Sequence, residues 1–141
     1  MHFTIYFLAL FFVPAFAAPV PPKHEPGDFV AVRHRHLQVY EGTKKQKDVD
    51  IHPGVVTKNH PDTGEVSVNL ISGNYVSPHQ EPIGNYYHHA EGTDTHLKGN
   101  VRFNSVRVKA DVIRKWKNTK GGPQPPMEPA DLKRLQEKTS E

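Results

Sequence analysis

Histidine is the residue type here best suited to acid–base and metal-ligand chemistry near neutral pH. The 141 residues contain ten, and all but His2 lie beyond residue 17: His24, His34, His36, His52, His60, His79, His88, His89 and His96. His34 and His36 stand two apart, the spacing that puts two side chains on one face of a strand. His88, His89 and His96 crowd a single loop-like stretch. Imidazole nitrogen is a ligand for zinc and copper, so these five residues are the candidate metal ligands. No HExxH helix and no carboxylate facial triad accompanies them, which points to metal binding rather than metal-assisted hydrolysis. Imidazoles with an ordinary pKa of about 6.5 would also make the chain responsive to mild acid.

Nucleophilic chemistry has little to start from. The chain has no cysteine, which removes a thiol nucleophile, a Cys-ligated zinc site and a disulfide framework together. There is no GxSxG elbow, P-loop or dinucleotide fingerprint. Asp50-x-His52 and Asp94-x-His96 set a carboxylate near an imidazole without a recognisable nucleophile, and Ser72 and Ser77 read as loop serines. The expectation is a non-enzyme with no cofactor beyond the zinc or copper its histidines would take.

Charge and aromatic residues supply two binding surfaces. The net charge of +3 conceals an asymmetry: segment 98–120 carries eight basic residues and one acid, whereas 27–97 carries six basic residues and nine acids. Arg114, Lys115, Lys117 and Lys120 are the candidates for contacting nucleic acid or acting as a nuclear-import signal. A solvated strand face would have the same pattern, and the interleaved aromatics of a base-stacking platform are missing. Tyr75, Tyr86, Tyr87, His88 and His89, flanked by Arg102 and Arg107, form the candidate protein-binding surface, because tyrosine and arginine are enriched where partners dock. Barrel-end packing would use the same tyrosines.

The elements that must position these residues begin after residue 17. Residues 1–17 read as a secretory signal peptide, an apolar run ended by Pro14 and the small–x–small pattern of Ala15 and Ala17. The run is shorter than the roughly 20 residues needed to span a bilayer, so no stable membrane insertion is expected after cleavage. Mean hydropathy of −0.65 excludes a multi-span membrane protein. No Asn-x-Ser/Thr sequon is present, so no N-glycan is expected.

Residues 18–26 hold four prolines in nine positions and read as an extended arm. Residues 27–117 form the expected domain, 118–128 a Gly/Pro linker, and 129–141 a short helix with Pro129 at its first position. Within the domain the hydrophobic period is two, predicting strands over 28–35, 54–60, 65–72 and 100–110. The second and third flank Pro61-Asp62-Thr63-Gly64, a strong hairpin signal. A turn or bulge is expected at Asn104-Ser105, where the apolar parity changes. Residues 73–97 show no period and read as a long functional loop.

The PGDFVAV start, the HPGVV…PDTGEVSV hairpin and the closing VRFNSVRV segment resemble a small SH3-like barrel of the Tudor, KOW and PWWP kind. The fold class expected is therefore mainly β: an SH3-like barrel with a long loop, an extended N-terminal arm and a short C-terminal helix. The signal peptide, short mature chain and absence of enzymatic motifs resemble small secreted effector-type proteins of plant-associated fungi. That resemblance implies a monomer that engages a host protein in the apoplast or, after translocation, inside the host cell, including its nucleus. Two other functions follow from residues alone: a histidine-rich extracellular protein that binds metal or responds to pH, and a nucleic-acid-binding module using 98–120.

Overall fold

The computed structural model describes residues 23–37, 51–73, 79–87 and 97–141. The expected signal segment, Tyr75, His88, His89 and His96 lie outside the described residues.

The protein is mainly β. Strand β1 is Phe29–Arg33, β2 Ile51–His60, β3 Glu65–Ser72, β4 Gln80–Pro82, β5 Asn100–Arg102, β6 Val106–Lys109 and β7 Arg114–Lys115, and the helix α1 is Pro129–Lys138. All pairings are antiparallel, in the order β4-β5-β3-β2-β1-β7, with β6 on β3. The sheet is open: its end strands β4 and β7 do not pair with each other among the described residues. Among the described residues no helix is long and apolar enough to cross a membrane.

The β2–β3 hairpin forms where the sequence signals it. The Thr63 and Gly64 amides both donate to the His60 carbonyl, at 3.2 and 3.0 Å. Gly64 sits at φ +70°, the left-handed region that glycine enters without a Cβ penalty. β2 serves two partners: residues 51–55 pair with β1 and residues 54–60 with β3. Where the two ladders overlap, a Cβ on Gly54 would stand 2.5 Å from Val68 Cγ1, so only glycine allows this packing. The register shifts between Val56 and Lys58, making Thr57 the extra residue of a β-bulge.

Successive strand residues face opposite sides, and here both sides are covered. Val30, Val32, Val56, Val66, Val68, Leu70, Val106, Val108 and Ile113 pack together on one face. Their chain neighbours Phe29, Val55 and Ile71 belong to a second apolar layer on the other face, with Ile83, Tyr86, Tyr87, Val101, Met127 and Leu135. β4, β5 and α1 supply that second cover.

Three local expectations are corrected by this packing. β1 ends at Arg33, and residues His34–His36 form a 3-10 turn closed by the Leu37 amide on the His34 carbonyl at 2.9 Å; His34 and His36 therefore do not share a strand face. The proline-rich arm is docked by residue 24: His24 is 1% exposed, and the Gly27 amide donates to Val56 at 2.7 Å. The 118–128 segment is packed rather than free. The Asn118 side chain accepts the Lys120 and Gly122 amides, each at 3.0 Å. Met127 is buried, and its amide donates to the Gly27 carbonyl at 2.9 Å.

Candidate functional site

Tyr86 and Tyr87 are in the core. Tyr86 follows the 3-10 turn Ile83–Asn85, is 1% exposed, and its hydroxyl donates to Glu81 at 2.8 Å. Tyr87 stacks on Phe29 with centroids 4.4 Å apart and donates to the Pro125 carbonyl at 2.7 Å. Burial pushes both phenols above their ordinary pKa. Arg134 and Lys138 of α1 lie over the Tyr86 ring, 5.2 and 5.9 Å from its centroid. The tyrosines thus anchor the helix and the 118–128 segment, and the proposed aromatic docking surface does not form at these two positions. Arg107 is exposed on β6 and ion-paired with Glu65 at 3.0 Å. Arg102 is half-buried on β5, and its carbonyl accepts a hydrogen bond from Asn69 at 2.9 Å.

The basic candidates are brought together. Arg114 and Lys115 are exposed on β7, which pairs with β1 and ends the sheet, and Lys117 and Lys120 are exposed just beyond it. None of the four has an ion pair among the described residues. Trp116, between them, is half-buried against the second apolar layer, and its amide donates to the Phe29 carbonyl at 2.8 Å. The strand edge therefore presents cations while its aromatic ring packs inward.

Beneath this edge lies His24. Burial holds its pKa below the ordinary value; the Ile113 backbone and Asp28 oppose that shift, and Lys23 and Lys115 add to it. Above about pH 6.5 the imidazole is neutral in folded and unfolded chains alike. As pH falls through that value, the unfolded chain takes up a proton that the folded site resists. Stability should then decline, with a limiting slope of about 1.4 kcal/mol per pH unit until the folded site titrates too. Urea denaturation from about pH 7.5 to pH 5 checks this. Native protein should lose stability relative to His24→Gln as pH falls, whatever their offset near neutrality; parallel curves would refute the assignment.

A polar cleft of about 310 Å3 opens at the bulge, lined by Thr57, Lys58, Gln136, Thr139 and Glu141. Its floor is a hydrogen-bonded set: Thr57 Oγ1 donates to Asn69 Oδ1 at 2.9 Å, and Asn69 Nδ2 donates to Thr139 Oγ1 at 2.8 Å. Gln136 Nε2 donates to the Thr57 carbonyl at 2.8 Å. Beside it, His60 Nε2 lies 2.7 Å from Ser67 Oγ and 3.8 Å from Glu141 Oε1. Lys58 Nζ, 3.3 Å from the same Glu141 oxygen, holds that carboxyl below the usual range. A hydrolytic triad needs its carboxylate on the imidazole nitrogen opposite the nucleophile. Here hydroxyl and carboxylate meet one nitrogen, and Ser67 is 1% exposed, so these three residues do not form that relay. Sequence spacing carries no signal for this cluster: alternation in β3 only sets Ser67 and Asn69 on the side opposite Val66, Val68 and Leu70.

The metal candidates are partly rearranged. His36 Nε2 accepts from Arg35 Nε at 3.2 Å, whereas His34 Nδ1 lies 3.3 Å from His52 Nε2. His52 reaches His34 because it pairs in register with Val32 at the end of β1, a contact that spacing along the chain does not reveal. Among the described residues no group of three or more His, Cys, Asp or Glu is arranged to hold a metal ion. Comparison of the chain with protein families, curated proteins and solved structures finds no match.

Proposed function

We propose that this chain is a secreted, non-enzymatic binding module of SH3-like architecture that engages an acidic surface on a protein partner through the β7 edge. One observation carries the reading: Arg114, Lys115, Lys117 and Lys120 stand exposed together at the end of the sheet without ion pairs among the described residues. Uncompensated cations on an open strand edge attract an anionic partner and guard the edge against self-pairing. A protein is favoured over nucleic acid because the neighbouring aromatics, Trp116, Tyr86 and Tyr87, are turned into the core rather than offered for base stacking.

The SH3-like reading is supported by the short strands, the tight β2–β3 hairpin, and the 3-10 turn Ala110–Val112 just before β7 returns to β1. In this view β4 and β5 are an insertion between β3 and β6. Signal-directed secretion and a host protein as target complete the proposal: an effector that acts by occupancy rather than turnover.

The test compares native protein with the double variant Arg114→Glu/Lys117→Glu as bait in host extract, with nuclease-treated and raised-salt arms. Both residues are exposed, so the variant should keep its native melting temperature. A protein captured by the native form, retained after nuclease and lost with the variant, is the expected result. Equal capture by both forms would refute the β7 surface, and loss under nuclease would transfer it to nucleic acid.

A further inference from the structure

We propose that His34 and His52 form a zinc site where the chain leaves β1 and re-enters at β2. The nitrogens that face each other, His34 Nδ1 and His52 Nε2, are 3.3 Å apart. Two imidazoles on one tetrahedral zinc, with Zn–N bonds of 2.0–2.1 Å, place their ligating nitrogens about 3.3 Å apart. Cis ligands of a square-planar copper ion with similar bonds would lie closer, at about 2.9 Å. The spacing fits a tetrahedral ion without moving either strand.

One ring is carried by the sheet and the other by the short turn that follows its first strand. His52 is the second residue of β2 and pairs in register with Val32, while His34 opens the 3-10 turn that follows Arg33, itself paired with Ile51. Both side chains are half-buried, and the rings are tilted 45° to each other with centroids 5.6 Å apart. Ligands fixed in this way lose little rotamer freedom when an ion binds. The neighbouring His36 is already engaged, accepting from Arg35.

Without metal, a nitrogen–nitrogen contact of this length needs one ring to donate and the other to accept. Zinc replaces that proton but sits off the nitrogen–nitrogen line, about 2 Å from each nitrogen, and uses a lone pair from each neutral ring. Two protein ligands leave two coordination positions for water or for a donor atom from a partner, one protein ligand fewer than the three of an open catalytic zinc site. The site lies outside the β7 edge, and its existence does not depend on the binding reading above.

The experiment titrates the full chain with zinc chloride by isothermal calorimetry near neutral pH, after treatment with a chelator that is then removed. Binding of one zinc per chain is expected. His34→Gln and His52→Gln should each weaken it at least tenfold, while His36→Gln and the double variant His88→Gln/His89→Gln should leave it unchanged. Long-range 1H–15N spectra of the native protein should show two imidazoles shifting together as zinc is added. This reads the pair directly, even if one variant folds poorly. Absence of binding, binding insensitive to both substitutions, or binding lost only in the His88/His89 variant would overturn the assignment.

Discussion

Truncation of Leu135 to alanine is expected to cost about 3 kcal/mol of folding stability, within the range for fully buried leucines. Leu135 is 0% exposed on a ten-residue helix that alone would be too short to persist in water. It packs into the layer formed by Phe29, Val55, Ile71, Tyr86 and Tyr87, so its removal leaves a cavity on the outer face of the central strands. Leu132, on the same helix but only partly buried, provides the internal comparison, and Leu132→Ala should cost clearly less. Equal and small effects in urea denaturation would mean that α1 rests on the sheet without completing its core. The loss at Leu135 should also weaken partner capture at β7, because β1 carries β7 on its edge and Phe29 in the layer that the helix seals.

The local part of this architecture was legible in the sequence, and the reason is physical. Turn chemistry at Pro61-Asp62-Thr63-Gly64, alternation in EVSVNLIS, the parity change at Asn104-Ser105 and Pro129 at a helix start are all short-range signals. They reappear as the β2–β3 hairpin, β3 at Glu65–Ser72, the break between β5 and β6, and α1. What was not legible depends on distant segments returning. Alternation in β3 marks Val66, Val68 and Leu70 as one face, but cannot say that α1 and β5 will bury Ser67 and Asn69 on the other. Consecutive tyrosines at 86 and 87 look the same whether they meet a partner or meet Phe29 and Glu81. Likewise 18–26 reads as an extended arm and 118–128 as a linker, because proline and glycine report backbone preference, not the Met127–Gly27 hydrogen bond that docks the second segment beside the end of the first. The basic edge was readable because charge density is a property of sequence alone, and the His34–His52 contact was not, because it depends on strand register.

Replacement of Asn69 by leucine, the same in branching but bulkier, should be similarly costly, at about 3 kcal/mol, and for a different reason: it adds apolar surface but strands polar groups and crowds a fully buried site. Asn69 is 0% exposed and bonds to three separate segments. It accepts from the Thr57 hydroxyl of the bulge, donates to the Arg102 carbonyl of β5, and donates to Thr139 at the end of α1. A buried polar group left without its partner costs about 1–3 kcal/mol, more than a hydrogen bond contributes when made. The Thr57 hydroxyl keeps a fallback acceptor in the Ser67 carbonyl at 3.3 Å, and Thr139 keeps the Leu135 carbonyl at 2.9 Å. A double-mutant cycle with Thr139→Val separates these contributions. If the network is shared, the two losses should fall short of additive by about 1 kcal/mol, because the first substitution has already broken the bond the second removes. Additive losses would mean that Asn69 stabilises β5 and α1 independently. The cleft would then be an incidental gap beside the bulge, not a pocket whose floor is built by one hydrogen-bonded set.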